Sequence, residues 1–290
     1  MTRLQRDWLI ASALTAIALI QRLWGLGYPK GYIFDETYYA KNAFSLSRYG
    51  VEENVLTHNP DFIVHPPVGK WFIAIGIKLF GNNEFGWRFS AAVIGSLSVT
   101  VMFFTARKLF NSTFLSIAAS FLILVDGLHL VHSRVALLDI FLTLFILLAV
   151  NAWLKGKYPS FAIYLGLAMG SKWSAIYYVA IFLLLDLFIN RKLLRTFKVG
   201  LTSLFVYLIS WFGWFHSNLG WDRDAKSNPI LSLLYYHKEM LNFHTSLTEK
   251  HTYQANPWSW LVMGRPTSFY YQSPKGCGVK DCAKEVLAIG

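Results

Sequence analysis

The chain has 290 residues, 54% hydrophobic and 17% aromatic but only 15% charged, where a soluble domain carries about 25%. Its net charge of +11 would suggest nucleic acid in a soluble protein, yet the basic residues cluster between long apolar runs, so orientation in a membrane accounts for them and a nucleic-acid partner is excluded. The two cysteines, Cys277 and Cys282, are too few for a disulfide scaffold and the wrong ligand count for a structural zinc site.

The first apolar run, 8–24, is bracketed by Trp8 and Trp24 and lacks a small-residue cleavage site, so it reads as an anchor rather than a removable signal. A polar stretch follows, interrupted by the apolar segment 69–80, which is too short to span easily and reads as a helix lying in the membrane interface. Further spans are expected over 86–105, 113–128 and 136–154. Residues 158–189 are nearly all apolar apart from Ser171-Lys172. As one helix they would be about 48 Å long, beyond a ~30 Å hydrocarbon core, so they divide into spans 158–170 and 173–190. A seventh span covers 199–215, and 216–290 is polar with no further span. The expected fold class is an all-α polytopic membrane protein of about seven spans, forming a single domain over 1–290 with long loops at 25–85 and 216–290.

Charge sets the orientation. With the N-terminus in the cytoplasm, the inside segments hold ten basic residues and one acid, Asp7. The outside segments hold six acids between Asp35 and Glu84 and six more after Trp221. Short loops rich in Lys and Arg stay inside, so both long loops face outward from a cell membrane. No solenoid repeat, inverted repeat or nucleotide-binding glycine loop is visible, which disfavours a solenoid, a transporter and a soluble nucleotide donor.

Several charged residues then fall on the outer side. Asp35 and Glu36 follow the first span in GYIFDETYYAKNAF, flanked by Phe34 and Tyr38-Tyr39. A loop acid pair is ordinarily just solvated, but partial desolvation among aromatics tunes a carboxylate toward general-base work. VHPPVGKW carries His65 and Lys70 beside two prolines that hold an extended backbone, and both side chains are candidates to reach a phosphate. Arg134 and Asp139 lie at the outer end of the fourth span, Lys172 at the turn between the fifth and sixth, and Arg22 near the end of the first. Each cation has a bland alternative in snorkelling to headgroups, and Arg134 in pairing with Asp139, yet charges at a membrane edge are costly and mark function. Carboxylates and cations on one membrane face suit activation of a nucleophile beside an anionic, lipid-anchored leaving group.

FDETYYA, VHPPVGKW, HSRVALLD, SKWSAIYY and KHTYQANPWSWLVMGRP, in that order, resemble the protein O-mannosyltransferase family of GT-C glycosyltransferases, most closely its actinobacterial-type members. The resemblance implies a GT-C transmembrane bundle with short interfacial helices in its first outward loop. It implies a polyprenyl-phosphate-mannose donor in the membrane lipid, a Ser/Thr hydroxyl on a secreted protein as acceptor, and inversion at the sugar C1. It makes Asp35 the general base and Glu36 its positioning neighbour, with donor phosphate held by Arg134 and Lys172, supported by Arg22, and with His65 and Lys70 in looser roles. No metal ligand or cofactor is assigned, a divalent cation is left open, and so is the protein export machinery as a partner. The family continues through further spans, so the chain is expected to be an N-terminal part with low activity alone. Cys277 and Cys282 are expected to form an outward disulfide. The competing readings are a GT-C transferase acting on a lipid or glycan, a transporter, and an inactive membrane partner.

Overall fold

The computed structural model describes residues 1–54, 57, 59–62, 64–248, 255–262, 264–272 and 285–289. Cys277, Cys282 and residues 250–254 of the KHTYQANPWSW segment lie outside the described residues. Helix α1 (Arg3–Leu23) is followed in the first long loop by α2 (Glu36–Tyr49) and α3 (Val68–Phe80). Then come α4 (Glu84–Phe110), α5 (Thr113–Val125), α6 (Gly127–His132), α7 (Asp139–Leu154) and α8 (Tyr158–Ser171). Helix α9 (Ala175–Leu184) is extended by a π-helical turn over Leu185–Ile189, and α10 (Leu193–Ile209) and α11 (Phe212–His216) follow. The last segment contributes α12 (Pro229–Ser246), α13 (Pro257–Trp260) and an antiparallel ribbon of β1 (Thr267–Gln272) and β2 (Glu285–Ile289).

A helix falls on each stretch read as a span, and the backbone of Lys172 is extended (φ −158°, ψ 138°), which separates α8 from α9. Among the described residues, only α4 is long and apolar enough to cross a membrane by length and composition. Helices α5, α7 and α9 with its π turn are shorter apolar helices. The 13 residues of α5 rise about 20 Å, less than a ~30 Å core. Three features depart from the sequence reading. The segment between the stretches expected to span at 113–128 and 136–154 is largely helical, because Asp126 caps α6 by accepting from the His129 N–H at 2.7 Å. The β ribbon means the chain is not wholly α. The segment after residue 216 holds the 18-residue α12, whose buried face, Ser232, Leu233, Tyr236 and Met240, repeats at helical spacing.

Helix α4 is the central post, packed against α1, α3, α5 and α7, while α8 joins α7 to α10. Its N-terminus approaches α3 without side chains between them. A Cβ at Gly76 would strike the Gly86 carbonyl, and one at Gly86 the Gly81 carbonyl, so glycine is required at both positions. The main core joins Ile33, Tyr39, Val68 and Ile73 of the first loop to Leu138 and Phe141 at the start of α7. A second cluster, Tyr207, Trp211, Trp214, Tyr236 and Met240, seats α12 on α10 and α11. These two packings fix where the polar groups of the loops meet.

Candidate active site

Phe34 adopts a left-handed backbone (φ +50°), and this tight turn starts α2 at the Asp35-Glu36 pair. The two acids diverge at once. Glu36 is wholly buried, and its two oxygens are bound by Nε and Nη2 of Arg88, each at 2.8 Å. The backbone N–H groups of Ile33 (3.0 Å) and Ala136 (2.9 Å) donate to the same carboxylate. Arg88, also wholly buried, donates onward to the carbonyls of Leu26, Pro29 and Gly31. One ion pair thereby ties the end of α1, the first loop, α4 and the segment leading into α7.

Asp35 opens instead into a cleft of about 900 Å³, whose lining includes Tyr39, His65, Lys70, Lys172 and His244. Burial raises its carboxyl above the ordinary carboxylate value, and Asp139 pushes the same way. Lys172 and a hydrogen bond from Tyr39 oppose that shift. Lys172 donates from Nζ to both oxygens of Asp139, at 2.8 and 3.0 Å. Both side chains of this pair stay partly open, at 27% and 35% exposure. Tyr39 is held protonated by burial and by Asp35 beside it.

Two histidines close the cleft. The rings of His65 and His244 lie 5.2 Å apart, and Tyr39 lies 5.9 Å from His65. His244 on α12 makes a 2.9 Å hydrogen bond from Nε2 to the Val64 carbonyl, which fixes its tautomer. Burial, with Lys172 and Lys70 adding to it, pushes His65 down to about 3, so the ring is neutral and its buried Nδ1 has no protein partner. Behind Lys172, the Trp173 indole donates to the Tyr207 hydroxyl at 2.9 Å, and that hydroxyl meets His237 at 2.6 Å.

The remaining expected cations sit differently. Lys70 is fully buried on Glu52 at 3.2 Å, so its ammonium is committed to an internal pair even though its side chain lines the cleft. Arg134 donates to the carbonyls of Gln21 and Arg22, both at 2.9 Å, and so caps the end of α1. Arg22 is buried, bonded to His129 Nδ1 at 3.0 Å and to the Leu124 carbonyl. Arg22 and Arg134 do not line the cleft that Asp35, His65, Lys70 and Lys172 share. Arg134 does not pair with Asp139, whose partner is Lys172. Sequence reading missed Arg88, although an arginine inside an apolar helix was a legible signal. It also missed His244, which no local pattern distinguishes. Among the described residues, no group of three or more His, Cys, Asp or Glu side chains is arranged to hold a metal ion.

Comparison with known proteins places this geometry in context. The family model described as dolichyl-phosphate-mannose-protein mannosyltransferase matches residues 64–214. The polyprenol-phosphate-mannose–protein mannosyltransferase of Mycolicibacterium smegmatis (strain ATCC 700084 / mc(2)155) is 32% identical, over 98% of this chain and 68% of that protein. The Corynebacterium glutamicum protein of the same name is 30% identical, over 95% and 67%. Among solved structures, the S. cerevisiae protein O-mannosyltransferase Pmt1-Pmt2 complex bound to the sugar donor superposes with a TM-score of 0.57 at 22% identity. That match covers 83% of this chain and 35% of the yeast chain. ArnT from Cupriavidus metallidurans in the apo state gives a TM-score of 0.60 at 18% identity, covering 90% and 48%. The chain thus spans less than half of either solved chain, and the likeness shows a shared GT-C fold.

Proposed function

The chain belongs to the dolichyl-phosphate-mannose-protein mannosyltransferase family, and on that footing we propose that it transfers mannose from polyprenyl-phosphate mannose to Ser/Thr hydroxyls of secreted proteins. The observation that carries the reading is the placement of Asp35, partly desolvated, in one cleft with Lys172. In the reaction, the acceptor hydroxyl gives its proton to Asp35 as its oxygen bonds to the sugar C1. The bond from C1 to the phosphate oxygen breaks on the opposite face, and polyprenyl phosphate leaves with the electron pair. A phosphodiester monoanion becomes a monoester dianion, so the gain of charge falls on the leaving group. Lys172 supplies a point charge there. Arg134 and Arg22, at the end of α1 and outside the cleft lining, add longer-range positive potential. Glu36 acts by positioning: its pairing with Arg88 fixes the turn that presents Asp35.

The seven helices on apolar stretches are the proposed spans, with the N-terminus in the cytoplasm and the cleft outward. The broad apolar exposure of α9 and α10, including Ile176, Tyr177, Ile181, Leu201 and Phe205, supports a lipid surround. Incubating membranes carrying the protein with labelled polyprenyl-phosphate mannose and a Ser/Thr-rich peptide tests the reading. Label is expected on the peptide, and it is expected to be lost in Asp35→Asn. Label appearing only in a lipid or glycan fraction would sink the protein-acceptor assignment.

A further inference from the structure

Lys172 is already occupied. Its ammonium sits on both oxygens of Asp139, the first residue of α7, and among the described residues these two bonds are the hydrogen bonds of that carboxylate. A donor phosphate that uses Lys172 must therefore take it from a resident anion. The pair is built for such an exchange. Lys172 lies on the extended break between α8 and α9 and lines the cleft, and both side chains of the pair remain partly exposed. The Glu36–Arg88 pair, wholly buried and saturated with bonds, has no such freedom.

We propose that Asp139 is a positioning residue that stores Lys172 until the donor phosphate takes it, and that by this exchange donor binding activates Asp35 as the base. The proposal rests on the mannosyl-transfer reading above. Asp35 faces Tyr39 from its own helix, His65 from the loop before α3, Asp139 from α7 and Lys172 from the α8–α9 break. Lys41, Asp61, Lys70 and His244 stand farther round the cleft, and His132 on α6 faces the Asp139–Lys172 pair. His65 is neutral, so within the first group the charges that act on Asp35 are those of Lys172 and Asp139. While Lys172 is paired with Asp139, the two charges oppose each other at Asp35. When the phosphate draws Lys172 off, Asp139 is left as a bare carboxylate, and repulsion between like charges strengthens Asp35 as a proton acceptor. The base is then strong only when there is a donor to attack.

Asp139→Asn separates this role from a structural one, because it should improve one step while weakening another. With the resident anion removed, Lys172 is free for phosphate, and the donor KM is expected to fall about threefold, the scale of a partly exposed ion pair. Asp35 loses its like-charged neighbour, so the acid limb of the kcat–pH profile is expected to move to lower pH while the plateau kcat falls. Asp139→Glu, which keeps the charge, is expected to restore both. A donor KM that rises, or an acid limb that does not move in an Asp139→Asn protein of unchanged unfolding temperature, overturns the exchange. Absence of mannosyl transfer by the wild-type protein refutes the functional reading instead, so the two failures are distinguishable.

Discussion

Two ion pairs serve the adjacent residues Glu36 and Asp35, one containing Glu36 and the other acting on Asp35, and they behave as opposites. Glu36 and Arg88 are wholly buried, and the four hydrogen bonds Glu36 accepts leave it no spare capacity. Asp35, its neighbour in sequence, faces a cleft with the half-open Asp139–Lys172 pair. The same residue types thus serve as a rivet in one place and as exchangeable charge in the other. Burial decides which. A buried charge stripped of its partner is strongly destabilising, whereas a partly exposed pair costs little to open and can be traded for a ligand. This contrast predicts that mutations in the two regions will fail differently, one in chemistry and the other in folding.

The largest effect expected is on chemistry without folding. Asp35→Asn keeps the side-chain shape but removes the proton acceptor, and loss of a general base costs about 10²–10⁴-fold in rate. Mannosyl transfer measured at matched expression should fall by that factor, with donor binding unchanged and the unfolding temperature at neutral pH not lowered. Near-normal turnover would remove Asp35 as the base.

Next comes the opposite case. Glu36→Gln leaves Arg88 buried against a neutral amide, and breaking a buried pair from one side costs about 3–5 kcal/mol. The expected result is a large drop in unfolding temperature in detergent, with transfer lost because the turn at Phe34 is no longer held. A variant of normal stability that loses only activity would erase the distinction between the two regions. Smaller again is Lys172→Ala, which removes one charge-assisted contact to phosphate. Donor affinity is expected to weaken on the order of tenfold while stability holds. Arg134→Lys should weaken donor use less than Lys172→Ala does, because Arg134 is already engaged with the Gln21 and Arg22 carbonyls.

The sequence carried the helical stretches well, because apolar runs and their charged punctuation are local signals. The break at Lys172 could be placed because 158–189 exceeds one bilayer crossing and Ser171-Lys172 is its polar interruption. The Asp35–Lys172 association could be argued only as a shared membrane side. That both line one cleft depends on the first loop packing against α7 and α8, which is a tertiary fact. Glu36 and Asp35 look alike in the sequence, and only the arrival of Arg88 from α4, 52 residues away, separates their roles. Helix α12 was missed because exposed apolar residues, Ile230, Leu231, Leu234 and Leu241, blur its buried stripe of four. Arg134 and Lys172 were grouped by charge, but one caps a helix and the other faces the cleft.

The smallest expected effect concerns pH, and it tests the contrast through the histidines. His129, beside buried Arg22, is pushed down to about 4 by burial first and Arg22 second, while His65 in the cleft is pushed to about 3. Both are neutral in the folded protein at pH 5. An unfolded histidine takes up a proton below about 6.5, so across this window the unfolded chain binds more protons than the folded one. The stability these groups lend is complete above about pH 6.5 and is lost as pH falls toward 4. Asp35 works with the opposite sign, since its raised carboxyl is protonated in the folded state before it is in the unfolded chain, and it partly offsets the loss at the acid end. Unfolding temperatures measured between pH 7.5 and 4.5 should therefore decline. His129→Gln removes one titrating group from the buried side and should flatten the decline, whereas Asp35→Asn should steepen its acid end. If His129→Gln leaves the slope unchanged while His65→Gln abolishes it, the pH sensitivity belongs to the cleft rather than to the buried framework around Arg22.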